Sequence, residues 1–325
     1  MPDIMGFYTL KPGWEGVATA SGKPFRIKIN KHGLRGSEIE NKDKPFLLCL
    51  GDSFTFGIGV NDKETYPAVL GEILEDRFQV LNGGVTGYNL SQSLGRLMML
   101  GQQLKPAIVV LAVFANDWED LDYTSYIVAN DGNLVIAPRS MRASDFLRGE
   151  INSSWEDVRK TKTTPVTEWL SKWSRAFELI YFRLFYYKMN KLSDKEKNGV
   201  SPGDWQRLGM LTRKLLRGEW EERTIRIFNH GCDFIERMKI LTESWNGKLL
   251  LVYIPFYEEL ENPGLALLRS KLYEYLESKK IEYLDLVAIF KTQGASKIYI
   301  PGDGHLSVFG NKVTAHAIAQ KVMSE

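Results

Sequence analysis

Short apolar runs alternate with helical stripes along most of this 325-residue chain. The runs are Phe46–Leu50, Phe78–Leu81, Ile108–Phe114, Leu249–Ile254 and Ile281–Leu286. Short runs that are apolar throughout, with no alternation, read as strands buried on both faces. Between them Leu90, Leu94, Leu97, Leu100 and Leu104 recur at three and four, the stripe of an amphipathic helix, and Leu265, Leu268, Leu272 and Leu276 do the same. Strands alternating with helices predict an α/β domain with a five-stranded parallel sheet and helices on both faces. Ligands of such sheets bind at the carboxyl ends of the strands, so chemistry is expected just after each run.

Two segments depart from this rhythm. Residues 1–44 read as an N-terminal β arm, because Phe25, Ile27 and Ile29 alternate with Arg26, Lys28 and Asn30 before turns at Gly33 and Gly36. The strand–helix alternation then occupies 45–325. Its third and fourth runs are separated by residues 115–248, far more than one crossover helix needs, so a helical cap insertion is expected at about 119–218. The clearest cap helix carries Trp169, Trp173, Phe177, Ile180, Leu184 and Tyr187 on one stripe. Packing of cap on core is the plain reading; an acyl-binding wall or a membrane-touching face, with Lys172, Arg175, Arg183 and Lys188 nearby, is the sharper one. Trp220, Ile227, Phe234, Met238, Leu241 and Trp245 mark the crossover helix into the fourth strand.

Composition narrows the field. Forty-two basic and 40 acidic residues leave a net charge of +2, which gives no field for nonspecific nucleic-acid binding. No apolar run is long enough for a membrane-spanning helix. The N-terminal residues lack the apolar core of a signal peptide, which suits a cytoplasmic protein unless a leader precedes them. Oligomeric state leaves no mark. Cys49 and Cys232 fit no metal motif and no disulfide scaffold. Asn89 and Asn152 sit in glycosylation sequons that matter only in a secreted eukaryotic chain.

Four strand ends carry the chemistry. Gly51-Asp52-Ser53 follows the first run. A serine there is either a helix cap or a nucleophile that needs an adjacent base, and Thr55 rules out the G-x-S-x-G elbow. Asn82-Gly83-Gly84-Val85-Thr86-Gly87 follows the second, where glycines let backbone N–H groups approach a ligand, or simply make a turn that Asn89 follows as a helix cap. Neither this segment nor Gly57-Ile58-Gly59 completes a nucleotide-binding fingerprint. Asn116-Asp117 follows the third, and a side-chain amide there can donate to an oxyanion, or the pair can form a plain turn. Asp303 and His305, near the C-terminus, stand two apart, so in an extended segment a carboxylate and an imidazole share a side. His32, His230 and His316 have no carboxylate so placed. A serine, oxyanion donors and an Asp/His pair at one sheet edge make a hydrolase constellation.

These four blocks, in this order, resemble the SGNH branch of the GDSL esterases and lipases. Gly51-Asp52-Ser53, Asn82-x-Gly84-x-x-Gly87, Asn116-Asp117 and Asp303-Gly304-His305-Leu306-Ser307 match the family's serine, glycine, asparagine and histidine blocks. The resemblance covers about residues 45–118 and 248–322. It implies a flavodoxin-like three-layer α/β/α sandwich and acyl-ester hydrolysis without metal or cofactor. By it, Ser53 is the nucleophile, His305 the base, Asp303 its orienting acid, and the N–H groups of Ser53 and Gly87 with the Asn116 amide form the oxyanion hole. Asp52 and Asp117 are expected to brace their turns.

Two departures bear on substrate. Phe114 stands where the family usually has a glycine, and Gly302 stands where it usually has the acid, which here is Asp303. The Asp-x-His spacing resembles relatives that move acetyl groups on polysaccharides, although Leu306 replaces their tryptophan. The expected activity is hydrolysis of a small-molecule, carbohydrate or lipid ester. The alternatives are a carbohydrate O-acetyltransferase or deacetylase using the same residues, and a catalytically silent binding domain.

Overall fold

The computed structural model of the chain describes residues 9–39, 43–124, 127–130, 133–136 and 209–324. The chain divides into two units, Met1–Arg148 with Pro202–Glu325, and Gly149–Ser201, the second lying outside the described residues.

An antiparallel hairpin opens the described chain, β1 (Glu15–Ala20) with β2 (Lys23–Lys28). Only β2 shows in the pattern, because its Phe25 and Ile27 are buried while β1 alternates half-buried with exposed positions. The main sheet follows: β3 (Phe46–Leu50), β4 (Gln79–Asn82), β5 (Ile108–Val113), β8 (Lys248–Tyr253) and β9 (Glu282–Asp285). All pair in parallel, in the order β4-β3-β5-β8-β9. Each expected run thus becomes a strand, within a residue or two at its ends. By chain order this is the flavodoxin-like 2-1-3-4-5 arrangement, whose ligands bind where the strand order reverses, here between β3 and β5.

The helices pack in two groups. One joins Leu90–Leu104 (α3), Asn116–Thr124 (α4) and Glu222–Glu243; the other joins Tyr66–Ile73 (α2) to Val308–Met323. In α3, Leu90, Leu94 and Leu97 are buried, as the stripe requires. Its N-terminus is closed by Asn89, whose Oδ1 accepts from the N–H groups of Ser91 and Gln92 while Gln92 Oε1 accepts from the Asn89 N–H. The core runs through the centre of the sheet: Leu47 to Leu50, Val109 to Leu111 and Leu251 to Ile254 are almost wholly buried.

Within 119–218, the described residues comprise the end of α4, a hairpin of β6 (Ile127–Asn130) and β7 (Asn133–Ile136), and the helix Met210–Arg217. The hairpin corrects a purely helical reading of this segment. The stripe from Trp169 to Tyr187 lies outside the described residues.

Candidate active site

The switch point is where the sequence blocks meet. β3 ends at Leu50, and Gly51 turns the chain at φ +145° into the four-residue helix Ser53–Phe56 (α1). A side chain at Gly51 would strike the Ala112 carbonyl at 2.7 Å and Thr55 Oγ1 at 2.5 Å, so only glycine fits. Asp52 caps α1, its Oδ1 accepting from the Phe54 N–H at 2.9 Å. Gly84, after β4, lies so close to α1 that a Cβ would sit 2.4 Å from the Phe56 nitrogen. The β4 loop therefore packs directly on the helix that begins at Ser53.

The partners of Ser53 come from the far end of the chain. The loop after Ile298 is pinned by an Ile300 N–H to His305 carbonyl bond of 2.8 Å and a Ser307 N–H to Ile298 carbonyl bond of 2.8 Å. Ser307 then caps the last helix, its Oγ accepting from the Gly310 N–H at 3.0 Å. This geometry puts His305 Nε2 2.8 Å from Ser53 Oγ and His305 Nδ1 2.5 Å from Asp303 Oδ1. Ser53 Oγ also lies 3.4 Å from Asp52 Oδ2. A hydroxyl has one proton, and the shorter contact directs it at the imidazole. Asp303 and His305 side chains keep 16% and 24% of their exposure, enough for a substrate to reach them.

Burial works to raise the Asp303 carboxyl, but the hydrogen bond and charge of His305 outweigh it and hold the group below its ordinary value. Asp303 is therefore ionised whenever the imidazole needs an anion beside it. The other histidines stand apart. His32 and His316 are exposed. His230 is buried against Phe234, and burial pushes it down to about 4.

Gly87, Ser53 and Asn116 follow β4, β3 and β5, three adjacent strands. Gly87 is exposed at φ +73°. Asn116 opens α4; its Nδ2 donates to Asp120 Oδ2 at 3.0 Å, leaving the second amide hydrogen available. Asn116 Oδ1 is buried without a hydrogen bond among the described residues. Asp117 braces the turn into α4, its Oδ2 accepting from the Phe114 N–H at 2.8 Å.

The acids behind the site are unusual. Burial raises Asp52, raises Asp117 further with the help of the Asp52 charge, and raises Asp120 to about 7 with help from Asp52 and Glu119. Carboxyls that resist ionisation keep negative charge from building up near an oxyanion. Among the described residues no group of three or more His, Cys, Asp or Glu side chains is arranged to hold a metal.

Phe114, the departure from the family glycine, has a place. Its ring lies 4.5 Å from that of Phe54 and 5.9 Å from that of Phe256, and Phe54 lies 5.2 Å from the His305 ring. The three phenylalanines form an aromatic wall beside the imidazole. The sequence reading gave no role to Phe54 or Phe256, nor to Asp120, because a strand end shows which residues are near in sequence but not which rings meet across strands.

Residues 49–203 match the family model of the GDSL-like lipase/acylhydrolases. The match spans a little under half of the chain and supports an ester-bond hydrolase. Comparison with curated proteins gives no match. Solved structures similar to this chain include a G-D-S-L-family protein from Desulfitobacterium hafniense DCB-2, at 14% identity and a TM-score of 0.45, covering 85% of this chain and 99% of that one. A catalytic mutant of an acetylxylan esterase from Geobacillus stearothermophilus is similar at 14% identity and 0.43, covering 86% and 94%. A psychrotrophic esterase from Pseudoalteromonas sp. is similar at 10% and 0.43, covering 86% and 98%. The family match begins at residue 49, so the N-terminal hairpin lies outside it. No helix among the described residues is long and apolar enough to cross a membrane.

Proposed function

We propose that this hydrolase cleaves carboxylic esters through an acyl-enzyme at Ser53. The observation that carries the reading is the unbroken chain Ser53 Oγ–His305 Nε2 at 2.8 Å and His305 Nδ1–Asp303 Oδ1 at 2.5 Å. Ser53 Oγ attacks the ester carbonyl as His305 takes its proton. The oxyanion that forms is met by the N–H groups of Ser53 and Gly87 and the free Asn116 amide hydrogen. His305 then protonates the leaving alcohol, and the C–O bond breaks to leave the acyl group on Ser53. Water, deprotonated by the same imidazole, releases the acid and restores the serine. Asp303 fixes the imidazole tautomer and stabilises its cation.

The test is hydrolysis of p-nitrophenyl esters from acetate to palmitate, alongside Ser53→Ala. A serine-to-alanine change in a serine hydrolase can cost about 10⁶-fold in kcat, so the contrast is large. The wild-type enzyme is also expected to label with a fluorophosphonate at Ser53. Turnover that survives in Ser53→Ala overturns the assignment. A catalytically silent domain would neither turn over nor label.

The Asp303-x-His305 spacing favours a second reading, transfer or removal of acetyl groups on a carbohydrate. Labelling at Ser53 without turnover of any simple ester, followed by acetyl release from an acetylated polysaccharide, would select it.

A further inference from the structure

The N-terminal hairpin reaches the triad. Its tip is the two-residue turn Ser21-Gly22, with φ +47° and +76°. A two-residue hairpin turn with positive φ at both positions favours Asn, Asp or Gly at the first, and serine is a strained choice there. The other non-glycine residues with positive φ among the described residues, Lys105, Asn246 and Lys280, follow the ends of helices, where such conformations are common. Ser21 alone of these stands in a hairpin, and its Oγ donates to Asp303 Oδ2 at 3.3 Å. Asp303 Oδ1 takes both the Nδ1 and the main-chain N–H of His305, so the hairpin supplies the donor for the second oxygen.

The hairpin is also fixed to the nucleophile's helix. Phe25, Ile27 and Ile29 form a small core with Phe56 of α1. Arg26 N–H donates to Asn61 Oδ1 at 2.9 Å, and Lys28 N–H to Asp62 Oδ1 at 3.2 Å. At the tip, Ala20 of the hairpin and Ile300 of the histidine loop meet over Gly59, where a Cβ would lie 3.6 Å from one and 2.5 Å from the other. One element therefore touches both halves of a site drawn from positions 53 and 303–305.

We propose that Ser21 is a positioning residue, and that the N-terminal hairpin completes the catalytic triad by holding the outer oxygen of the Asp303 carboxylate. This rests on the triad reading above. Anchored at one oxygen only, the carboxylate turns about its Cβ–Cγ bond and its hydrogen bond to His305 Nδ1 loosens. Anchored at both, it holds the imidazole in line with Ser53.

Three variants of the full chain separate this role from a structural one: Ser21→Asn, Ser21→Gly and Ser21→Asp. All three residues suit the turn at least as well as serine, so thermal stability is expected to hold or rise in Ser21→Asn and Ser21→Gly, while in Ser21→Asp repulsion from Asp303 offsets the better turn residue. They differ in what they offer Asp303: an amide donor, nothing, or a second carboxylate. The readouts are the second-order rate of fluorophosphonate attack on Ser53 and the low-field proton resonance of His305 Nδ1. Ser21→Asn is expected to keep both. Ser21→Gly is expected to slow the reaction about fivefold, the worth of one partly exposed charge-assisted hydrogen bond, and to broaden the resonance. Ser21→Asp is expected to be slowest, by tenfold or more, through repulsion between carboxylates. Equal rates and an unchanged resonance in all three would overturn the proposal while leaving the triad in place. Labelling that persists in Ser53→Ala would overturn the triad reading, and this proposal with it.

Discussion

Replacing Arg35 with methionine tests how the hairpin is held. The guanidinium is buried, with its side chain 1% exposed, and every one of its donors is used. Nε donates to Asp62 Oδ1 at 2.8 Å. Nη1 donates to the carbonyls of Phe56 and Gly57 at 2.7 and 2.6 Å. Nη2 donates to those of Arg26 and Val60 at 3.0 and 2.7 Å. The plane also lies over the Phe56 ring at 4.6 Å. Five N–H groups thus meet five acceptors, which lysine, with a point charge and three donors, cannot match. Methionine keeps the aliphatic stem but strands the buried carbonyls of Gly57 and Val60 and leaves that of Phe56 with a single 3.4 Å bond from Asn82 Nδ2, at about 1 kcal/mol or more for each group left unpaired. It also leaves Asp62 unpaired, though that carboxylate is 22% exposed and partly hydrated. The sum is about 3–5 kcal/mol, the usual loss when one partner of a buried ion pair is removed. At about 2–4 °C per kcal/mol, melting falls by roughly 10 °C. Two of the carbonyls that lose the guanidinium, those of Phe56 and Gly57, belong to the end of α1 and its cap, so fluorophosphonate labelling of Ser53 slows as well. Circular dichroism melts of Arg35→Met and Arg35→Lys, with the exposed Arg26→Ala as control, are the assay. An Arg35→Met melt within about 2 °C of wild type would show that water replaces the guanidinium, and the anchoring argument would fall.

Two further outcomes are expected. Asn116→Ala lowers kcat on p-nitrophenyl acetate by about 10²–10³ with little change in KM, the size of one oxyanion donor, and a change confined to KM would remove Asn116 from the oxyanion hole. Asp120 is held protonated by burial up to about 7, so the folded state binds more protons than the unfolded chain between the ordinary carboxylate range, about 4, and 7. Its contribution is full below that window and is lost as pH rises through 7. Asp120→Asn is therefore expected to raise the melting temperature at pH 8 more than at pH 5, and a difference independent of pH would refute the assignment.

The sheet was legible because buried parallel strands leave an unmistakable mark, apolar runs such as Phe46–Leu50 and Ile108–Val113 with no polar interruption. The site blocks were legible for a related reason: chemistry sits at strand ends, and those ends are located once the runs are. What escaped notice has a common character. Strand β1 buries neither face fully, so Glu15–Ala20 shows no deep alternation, although Ser21-Gly22 between it and Phe25 is a turn signal in hindsight. The hairpin of β6 and β7 carries a like turn signal, Asp131-Gly132 between two short apolar stretches, with too little length to outweigh an expectation of helices. Arg35 lies between turns with nothing in the sequence to say that five acceptors surround it.

That last failure explains how the site is built. Ser53 and His305 are 252 positions apart, and the sheet alone fixes only the first of them, since the histidine loop follows the last strand rather than joining the sheet. The loop must therefore be located by contacts other than the ladder. The isolated bridge between Tyr299 and Leu306 sets its base, and Asn311, accepting the Tyr66 N–H at 2.8 Å, ties the helix behind it to α2. Its outer side meets the hairpin tip, at Ser21 and above Gly59. Polar contacts between distant segments leave no periodic trace, because each needs one residue and no repeat. A sequence can thus display Ser53 and His305 plainly while hiding the parts that hold them 2.8 Å apart. Those parts are single residues such as Arg35 and Ser21, where a substitution should alter the site without touching any residue of the proposed triad.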